Sequence, residues 1–372
     1  MKRKITLVGL VLLTVGAIVL TGLRNEFFDS KVYHGAVQYW FRDGGMVYDF
    51  LRPGTPYGFT YPPFAGLVMA PMAYLPILAV AIIATLATVG TTVLLVKWLG
   101  GSIVKRIGFG AAVCLALLFE PVRETITFGQ VNVLLLTLVT ADMIFGVARG
   151  RKWAGVGIGL AVAIKLTPGV FILYLLVTRR WRALATAIGS AAGATLLAGA
   201  LFPDESREFW TSALWDTNRV GLLYYLSNQS ERGLLARLPI ETVESKVWLV
   251  CVLATLAAWG WRVFRSPDDV VGGLALTGVL GCLISPVTWI HHCVWLLPAL
   301  IRCVDHGRPY LGISGYVLMT SHLTWWWEKR PRPPLELLGG NIYVWFSLAL
   351  LFWTPLGTRR SSEIHETDKI IA

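Results

Sequence analysis

The first residue in this chain placed to do chemistry is an aspartate just beyond a long apolar run. Asp29 stands in Phe27-Phe28-Asp29-Ser30-Lys31-Val32-Tyr33, a few residues after the run that ends at Leu23. A carboxylate at a water–lipid boundary can take a proton from an acceptor hydroxyl while a lipid-linked donor approaches from the bilayer. One carboxylate suffices when the leaving group is a phosphate, which departs without being protonated. A structural reading competes with this one. Val32, Ala36, Val37, Trp40 and Phe41 recur at helical spacing, and Asp29 or Ser30 can simply cap that amphipathic helix. Other chemistries lack their motifs: the chain holds no GxxxxGK[ST] loop, no G-x-S-x-G elbow and no HExxH. His291 and His292 are sequence neighbours, about 100° apart on a helix, so the pair alone is a poor metal site. No metal and no cofactor is called for. Asp268-Asp269 reads as a turn or helix cap beside Pro267.

The elements that must hold such residues are membrane helices. Of the 372 residues, 55% are hydrophobic and 15% charged, with a mean hydropathy of +0.62. The apolar residues come in long blocks bounded by short basic patches. A net charge of +11 therefore reflects positive-inside topology, and no nucleic-acid partner is expected. Five cysteines form no CxxC pair. The start, Met1-Lys2-Arg3-Lys4 before an apolar run, resembles a signal sequence, but Arg24-Asn25-Glu26 follows in place of a cleavage site, so it reads as an uncleaved span.

Following the charges, spans fall at roughly 5–23, 77–97, 103–119, 131–148, 183–202, 247–264, 270–284, 289–304, 310–326 and 341–356. Residues 153–178 are basic at both ends, which favours a broken hairpin turning at Lys165-Leu166-Thr167-Pro168. The expected fold is an all-α polytopic membrane protein, a bundle of about 10–12 transmembrane helices. Residues 1–360 form a single domain, with 24–63 as its first extracytoplasmic loop and 361–372 as a cytoplasmic tail. The outer segments, 24–63, 120–130, 203–246, 285–288 and 321–340, carry most of the Asp, Glu, Asn, Gln and His. Both termini fall in the cytoplasm. A transporter would instead bury ionisable groups at the midplane in repeated halves.

An ordered series of short motifs runs through the first half: Asp29-x-x-x-Tyr33, Asp43-Gly44-Gly45-Met46-Val47-Tyr48, Phe59-Thr60-Tyr61-Pro62-Pro63-Phe64 and Ala70-Pro71-Met72-Ala73-Tyr74-Leu75-Pro76. Phe128-Gly129-Gln130-Val131-Asn132 and Lys165-Leu166-Thr167-Pro168 continue it. The set resembles the polyprenyl-phosphate-mannose-dependent α-1,2-mannosyltransferases of the mycobacterial phosphatidylinositol mannoside and lipomannan pathways, members of the GT-C superfamily. That resemblance implies an enzyme of the cell membrane with an extracytoplasmic active site and Asp29 as its base. It also implies a polyprenyl-phosphate-mannose donor, a lipid-anchored glycan acceptor, and inversion of a β-linked donor to an α-mannoside.

Further roles follow from that likeness. The departing phosphate needs cations or donors, which Lys165, His291, His292 and His322 supply. Lys165 otherwise snorkels, and the histidines are otherwise merely solvated. Gln130 and Asn132 serve sugar hydroxyls as paired donors and acceptors, or cap a helix. Tyr33 and Tyr61 line the site, Pro62-Pro63 stiffens the approach to the next helix, and Asn228 of Asn228-Gln229-Ser230 lies in a polar loop beside it. Another polyprenyl-phosphate sugar, arabinofuranose or glucose, is the alternative within the class. A lipid or polyisoprenoid transporter is the alternative outside it.

Overall fold

The computed structural model describes residues 2–216, 219, 221–240, 244–328 and 335–357. The tail 361–372 and the Arg359-Arg360 pair lie outside them. The described residues are mostly helical, and among them there is no β-strand. An all-α polytopic membrane protein is what the sequence led us to expect. Four helices are long and apolar enough to cross a bilayer: Lys4–Asn25, Ile77–Leu99, Trp181–Leu201 and Glu244–Arg265. Two bent pairs raise the number to six, Gly101–Ile107 with Phe109–Leu118 at 114° and Glu120–Phe128 with Asn132–Val147 at 118°. The remaining expected spans are shorter apolar helices, such as Val270–Ile284 and Ile342–Trp353. Val270–Ile284 buries nearly every side chain, so protein rather than lipid surrounds it and no bilayer-matched length is imposed. The first helix shows the opposite, with Leu12, Leu20 and Leu23 67%, 71% and 72% exposed. Side chains of that kind need hydrocarbon around them.

Two apolar cores meet inside this bundle. The larger gathers Phe119, Leu136, Met143, Tyr174, Trp259 and Leu274 from the central helices. The smaller belongs to the first loop. Its helix Phe28–Phe41 turns Val32, Tyr33, Ala36, Val37 and Trp40 onto Tyr48, Phe59, Tyr61 and Ala65. The amphipathic helix is thus present where expected, but its apolar face lies on protein and not on the membrane surface. Val131 and Ile164 pack against both cores. Their sequence neighbours are Gln130, Asn132 and Lys165, so the seam between the cores is where the polar residues converge.

The basic connections gather at one end of the bundle. Arg182 donates to the carbonyls of Gly150 and Arg151, and Arg180 donates to Val147 O at 3.3 Å and Pro267 O at 3.0 Å. Arg302 pairs with Asp269, whose carboxylate caps Val270–Ile284 by accepting from Gly272 N at 2.8 Å. Asp269 is therefore the cap that Asp268-Asp269 suggested. The loop helix, with Phe202 against Trp40, belongs to the other end.

Residues 153–178 form the broken hairpin. Val156–Ile164 runs out beside Trp181–Leu201, the chain turns at Lys165, and Val170–Val177 returns to the basic end. Two devices hold the outgoing arm. The buried Asp142 carboxylate accepts from Gly155 N at 2.9 Å and Ile158 N at 3.0 Å, capping its first turn. Gly155, Gly159 and Ala163 then form a small-residue stripe facing Ala183, Ala187 and Ala191, which lets backbones approach. A Cβ on Gly159 would stand 2.3 Å from Ala187 O. Gly159→Val should therefore part the two helices. We expect a thermal midpoint in detergent lower by at least ~3 °C, and a greater loss of activity than Ala163→Gly produces.

Candidate active site

The site is built at a strained turn. Glu26 and Phe27, neither of them glycine, adopt φ of 50° and 53°, each costing roughly 1–2 kcal/mol. Tertiary contacts hold the turn: Phe27 N donates to Thr127 O at 2.9 Å, and Asn25 Nδ2 to Thr127 Oγ1 at 2.8 Å. The first helix is thereby pinned to Glu120–Phe128, and the loop helix leaves with Asp29 in its first turn. Position 27 is the N-cap, without a side-chain cap. Asp29 therefore does not cap the helix. A second bend faces the turn. Gly129 has φ +73°, and a Cβ there would lie 1.8 Å from Ser30 Oγ. Only glycine lets Ser30 approach and donate to Gly129 O at 3.1 Å,.

Gln130 follows that bend and joins the site together. Its Nε2 donates to Asp29 Oδ2 and to Tyr33 Oη, both at 2.8 Å. Its Oε1 accepts from Tyr61 Oη at 2.7 Å. Tyr33 and Tyr61 hydroxyls are 3.0 Å apart. Because Tyr33 accepts from Gln130, its own hydrogen points to Tyr61, whose hydrogen points back to Gln130, and the ring of donors closes. Lys165 joins through Tyr61: Nζ lies 3.4 Å from Tyr61 Oη, 2.8 Å from Asn132 Oδ1 and 3.1 Å from His292 Nε2. Its ammonium also stands 5.1 Å from the Tyr61 ring centroid,. Asn132 in turn donates to His291 O at 3.1 Å. His291 lies edge-on to His292, with centroids 4.7 Å apart. Neither His291 nitrogen has a hydrogen-bond partner among the described residues.

Seven of the ten residues singled out for catalysis or binding thus share one network with Asp29: Tyr33, Tyr61, Gln130, Asn132, Lys165, His291 and His292. Asn228 and His322 stand apart. Asn228 Oδ1 accepts from Thr288 N at 2.9 Å, and Nδ2 donates to Pro286 O at 3.2 Å. It splices the loop to the turn before His291, a positioning role set by backbone partners. His322 joins a second buried cluster. Nδ1 is 2.8 Å from Glu120 Oε1, Nε2 meets Arg123, and Tyr343 and Trp325 also donate to Glu120. Glu120 and Glu124 escaped the sequence reading. Two acids four residues apart, just ahead of Gly129-Gln130, were the signal for them.

Burial pushes the Asp29 carboxyl up to about 6 from its ordinary 3.8, against the Gln130 hydrogen bond and the Lys165 and Arg52 charges,. Burial likewise raises the phenols of Tyr33 and Tyr61, so both remain neutral donors. The arrangement is a carboxylate and a cation held apart by neutral donors. Beside the cation opens an apolar cavity of about 410 Å³ between the hairpin and Trp181–Leu201. Pro62, Val162, Leu166, Ala191, Leu196 and Trp210 line it. Its rim reaches Pro62 and Leu166, next to Tyr61 and Lys165.

Comparison with known proteins identifies a family. Residues 59–286 match glycosyltransferase family 87. The chain is similar to a polyprenol-phosphate-mannose-dependent α-(1-2)-phosphatidylinositol mannoside mannosyltransferase of Mycolicibacterium smegmatis, 31% identical over 96% of this chain and 92% of the relative. Its Mycobacterium tuberculosis counterpart is 32% identical over 87% and 83%. An α-(1->3)-arabinofuranosyltransferase of Mycobacterium tuberculosis is more distant, 26% identical over 91% and 81%. No solved structure matches significantly. The chain belongs to glycosyltransferase family 87.

Because Gly129 lets the two bends meet, Gly129→Ala should displace Ser30 and Asp29 together. We expect turnover at least about tenfold lower, since small misplacements of reacting groups are costly. Ser30→Ala, which only shortens the neighbour, should leave turnover within about threefold of wild type, read as initial transfer rates.

Proposed function

We propose that this family 87 chain moves mannose from a polyprenyl-phosphate-mannose donor to a mannoside acceptor anchored in lipid, a phosphatidylinositol mannoside or lipomannan, making an α-1,2 linkage on the extracytoplasmic side of the cell membrane. One observation carries the reading: the partly buried Asp29 and the buried Lys165 meet at the seam, kept apart by Gln130, Tyr33 and Tyr61. An inverting displacement needs a base behind the nucleophile and positive charge behind the leaving group. Asp29 takes the proton from the acceptor hydroxyl as its oxygen bonds to C1 of mannose. The C1–O bond to phosphate breaks on the far side, and the electron pair leaves with the phosphate. Lys165 and His292, 3.1 Å from it, meet that charge. Gln130 and Asn132 orient hydroxyls and ligands around the reacting centre.

Lipid supply fits the same reading. The apolar cavity beside Lys165 suits an isoprenoid tail, with its phosphate at the cation and its sugar toward Asp29. The basic loops gather at the opposite end, as the positive-inside rule requires of the cytoplasmic side. The similarity to mannosyltransferases, closer than that to arabinofuranosyltransferases, supports mannose as the sugar.

The test uses the purified chain in lipid, labelled polyprenyl-phosphate mannose and a phosphatidylinositol mannoside. Transfer is expected with mannose donor, and poorly or not at all with polyprenyl-phosphate arabinofuranose. Asp29→Asn should cost about 10²–10⁴ in rate, and undiminished transfer in that variant would sink the mechanism. The base works deprotonated, so activity should fall about tenfold per pH unit below about 6,. Lys165→Ala should lower kcat and displace that acid limb upward in pH, because the Lys165 charge holds the Asp29 carboxyl down,.

A further inference from the structure

A rim of aromatic side chains stands above Asp29. Phe28 meets Tyr57 edge-on at 5.6 Å. Gly221 runs between Tyr57 and Trp289, where an added Cβ would lie 3.0 Å from the indole. Trp289 is 6.1 Å from Tyr225, and Tyr225 is 6.2 Å from Trp325. The Arg24 guanidinium lies 4.8 Å over Trp325, and the strained turn at Glu26-Phe27 leads back to Phe28. The circuit therefore closes. Its members tie directly to the site, for Phe28 adjoins Asp29 and Trp289 O accepts from His292 N at 2.7 Å. These rings are only partly packed, Tyr57 being 36% and Tyr225 41% exposed.

Glu124 supplies the second observation. It is 3% exposed, and its Oε2 has no hydrogen-bond partner among the described residues. It lies one helical turn from Glu120, which accepts from the Trp325 indole at 2.8 Å, the ring that Arg24 covers, so it stands on the Trp325 side of the rim. A buried oxygen without a donor is costly to keep. A sugar hydroxyl would satisfy it. The flat C–H face of a pyranose is apolar while its edge is polar, which suits a ring of aromatics around a carboxylate. Arg24 adds a cation for the phosphate of an anionic headgroup.

We infer that this rim, floored by Glu124, is the acceptor subsite and takes the mannosyl–inositol phosphate headgroup of the acceptor lipid. The inference rests on the transfer reading for its substrate class and names a site for one of the two lipids. Donor and acceptor then reach Asp29 from different sides, the tail cavity at Lys165 and the rim at Trp325.

The experiment uses the full chain in nanodiscs with phosphatidylinositol dimannoside as probe, measuring its equilibrium affinity without donor and its KM with donor. Tyr225→Ala and Glu124→Gln should each weaken dimannoside affinity and raise its KM about tenfold. The donor KM should move by less than about twofold. Tyr225→Phe keeps the ring and should restore acceptor affinity, a result that loss of folding could not give. Trp326→Ala, outside the circuit, should change neither. Unchanged dimannoside affinity in Tyr225→Ala and Glu124→Gln overturns the inference, as does an equal rise in donor KM. Should the wild-type chain bind dimannoside without transferring mannose, the transfer reading fails and the affinities alone decide the rim. A wild-type chain that does not bind dimannoside also overturns it.

Discussion

The carboxamide of Gln130 is the point through which the rest of the site is held. Three hydrogen bonds leave one side chain, to Asp29, Tyr33 and Tyr61. Those partners come from the loop helix and from the segment after it, while Gln130 itself follows the bend between two central helices. A carboxylate, two phenols and an ammonium buried together are unfavourable unless each donor has an acceptor. The amide satisfies this with both of its ends, and the direction of every hydrogen in the ring follows from it. A glutamate at this position could not donate to Asp29, and a hydrocarbon would leave three buried partners short.

Backbone strain and close approach serve that amide. The turn at Glu26-Phe27 is unfavourable in isolation, and so is a positive φ at Gly129 for any other residue. They face each other across the Ser30–Gly129 contact, with Phe27 N on Thr127 O. Each bend is stabilised by bonds to the other, so neither is a local preference of its sequence. The hairpin is held in a similar way, by Asp142 at its base and a glycine–alanine stripe along its length. Lys165 consequently reaches the seam as the end of a rigid arm, not as a long side chain searching for a partner. Positions set by the scaffold are what a displacement reaction requires, because alignment errors of an ångström are expensive.

What could be read from the sequence, and what could not, divides along the same line. Asp29, Gln130, Lys165 and the His291-His292 pair stood out because polar groups in apolar surroundings, all at the same ends of spans, must find one another. Charge asymmetry placed them on one end, and the hairpin followed from basic residues at both ends of 153–178. Tertiary partners were not legible. Periodicity made Phe28–Phe41 amphipathic, but lipid and protein look alike to a hydrophobic face, and here Phe59 and Tyr61 cover it. Asn228 carries the same amide as Gln130, yet its partners are backbone atoms of 223, 286 and 288 and the hydroxyl of Ser230. Glu124 was hidden for a related reason, since its meaning depends on Arg24 and Tyr225, separated from it by about a hundred residues on either side.

Two lipids must meet at one carbon, and the geometry constrains how. If the donor phosphate rests at Lys165, the bond to be broken points toward the hairpin, and the attacking oxygen has to come from the side of Asp29. The donor tail is then directed into the cavity against Trp181–Leu201, because that is the apolar surface adjoining Lys165. The inferred rim leaves the acceptor to approach past Phe28 and Arg24. Buried charge enforces the order as well. Asp29 and Lys165 share a low-dielectric seam with neutral donors between them, so the base is held near neutrality in pKa by burial and kept from falling further by its distance from the cation,. Moving Lys165 into contact with Asp29 would strengthen their pairing, deepen the acidity of the carboxyl and remove the basicity on which proton removal depends. The separation imposed by Gln130, Tyr33 and Tyr61 is therefore what keeps the same two charges useful at opposite ends of the reacting bond.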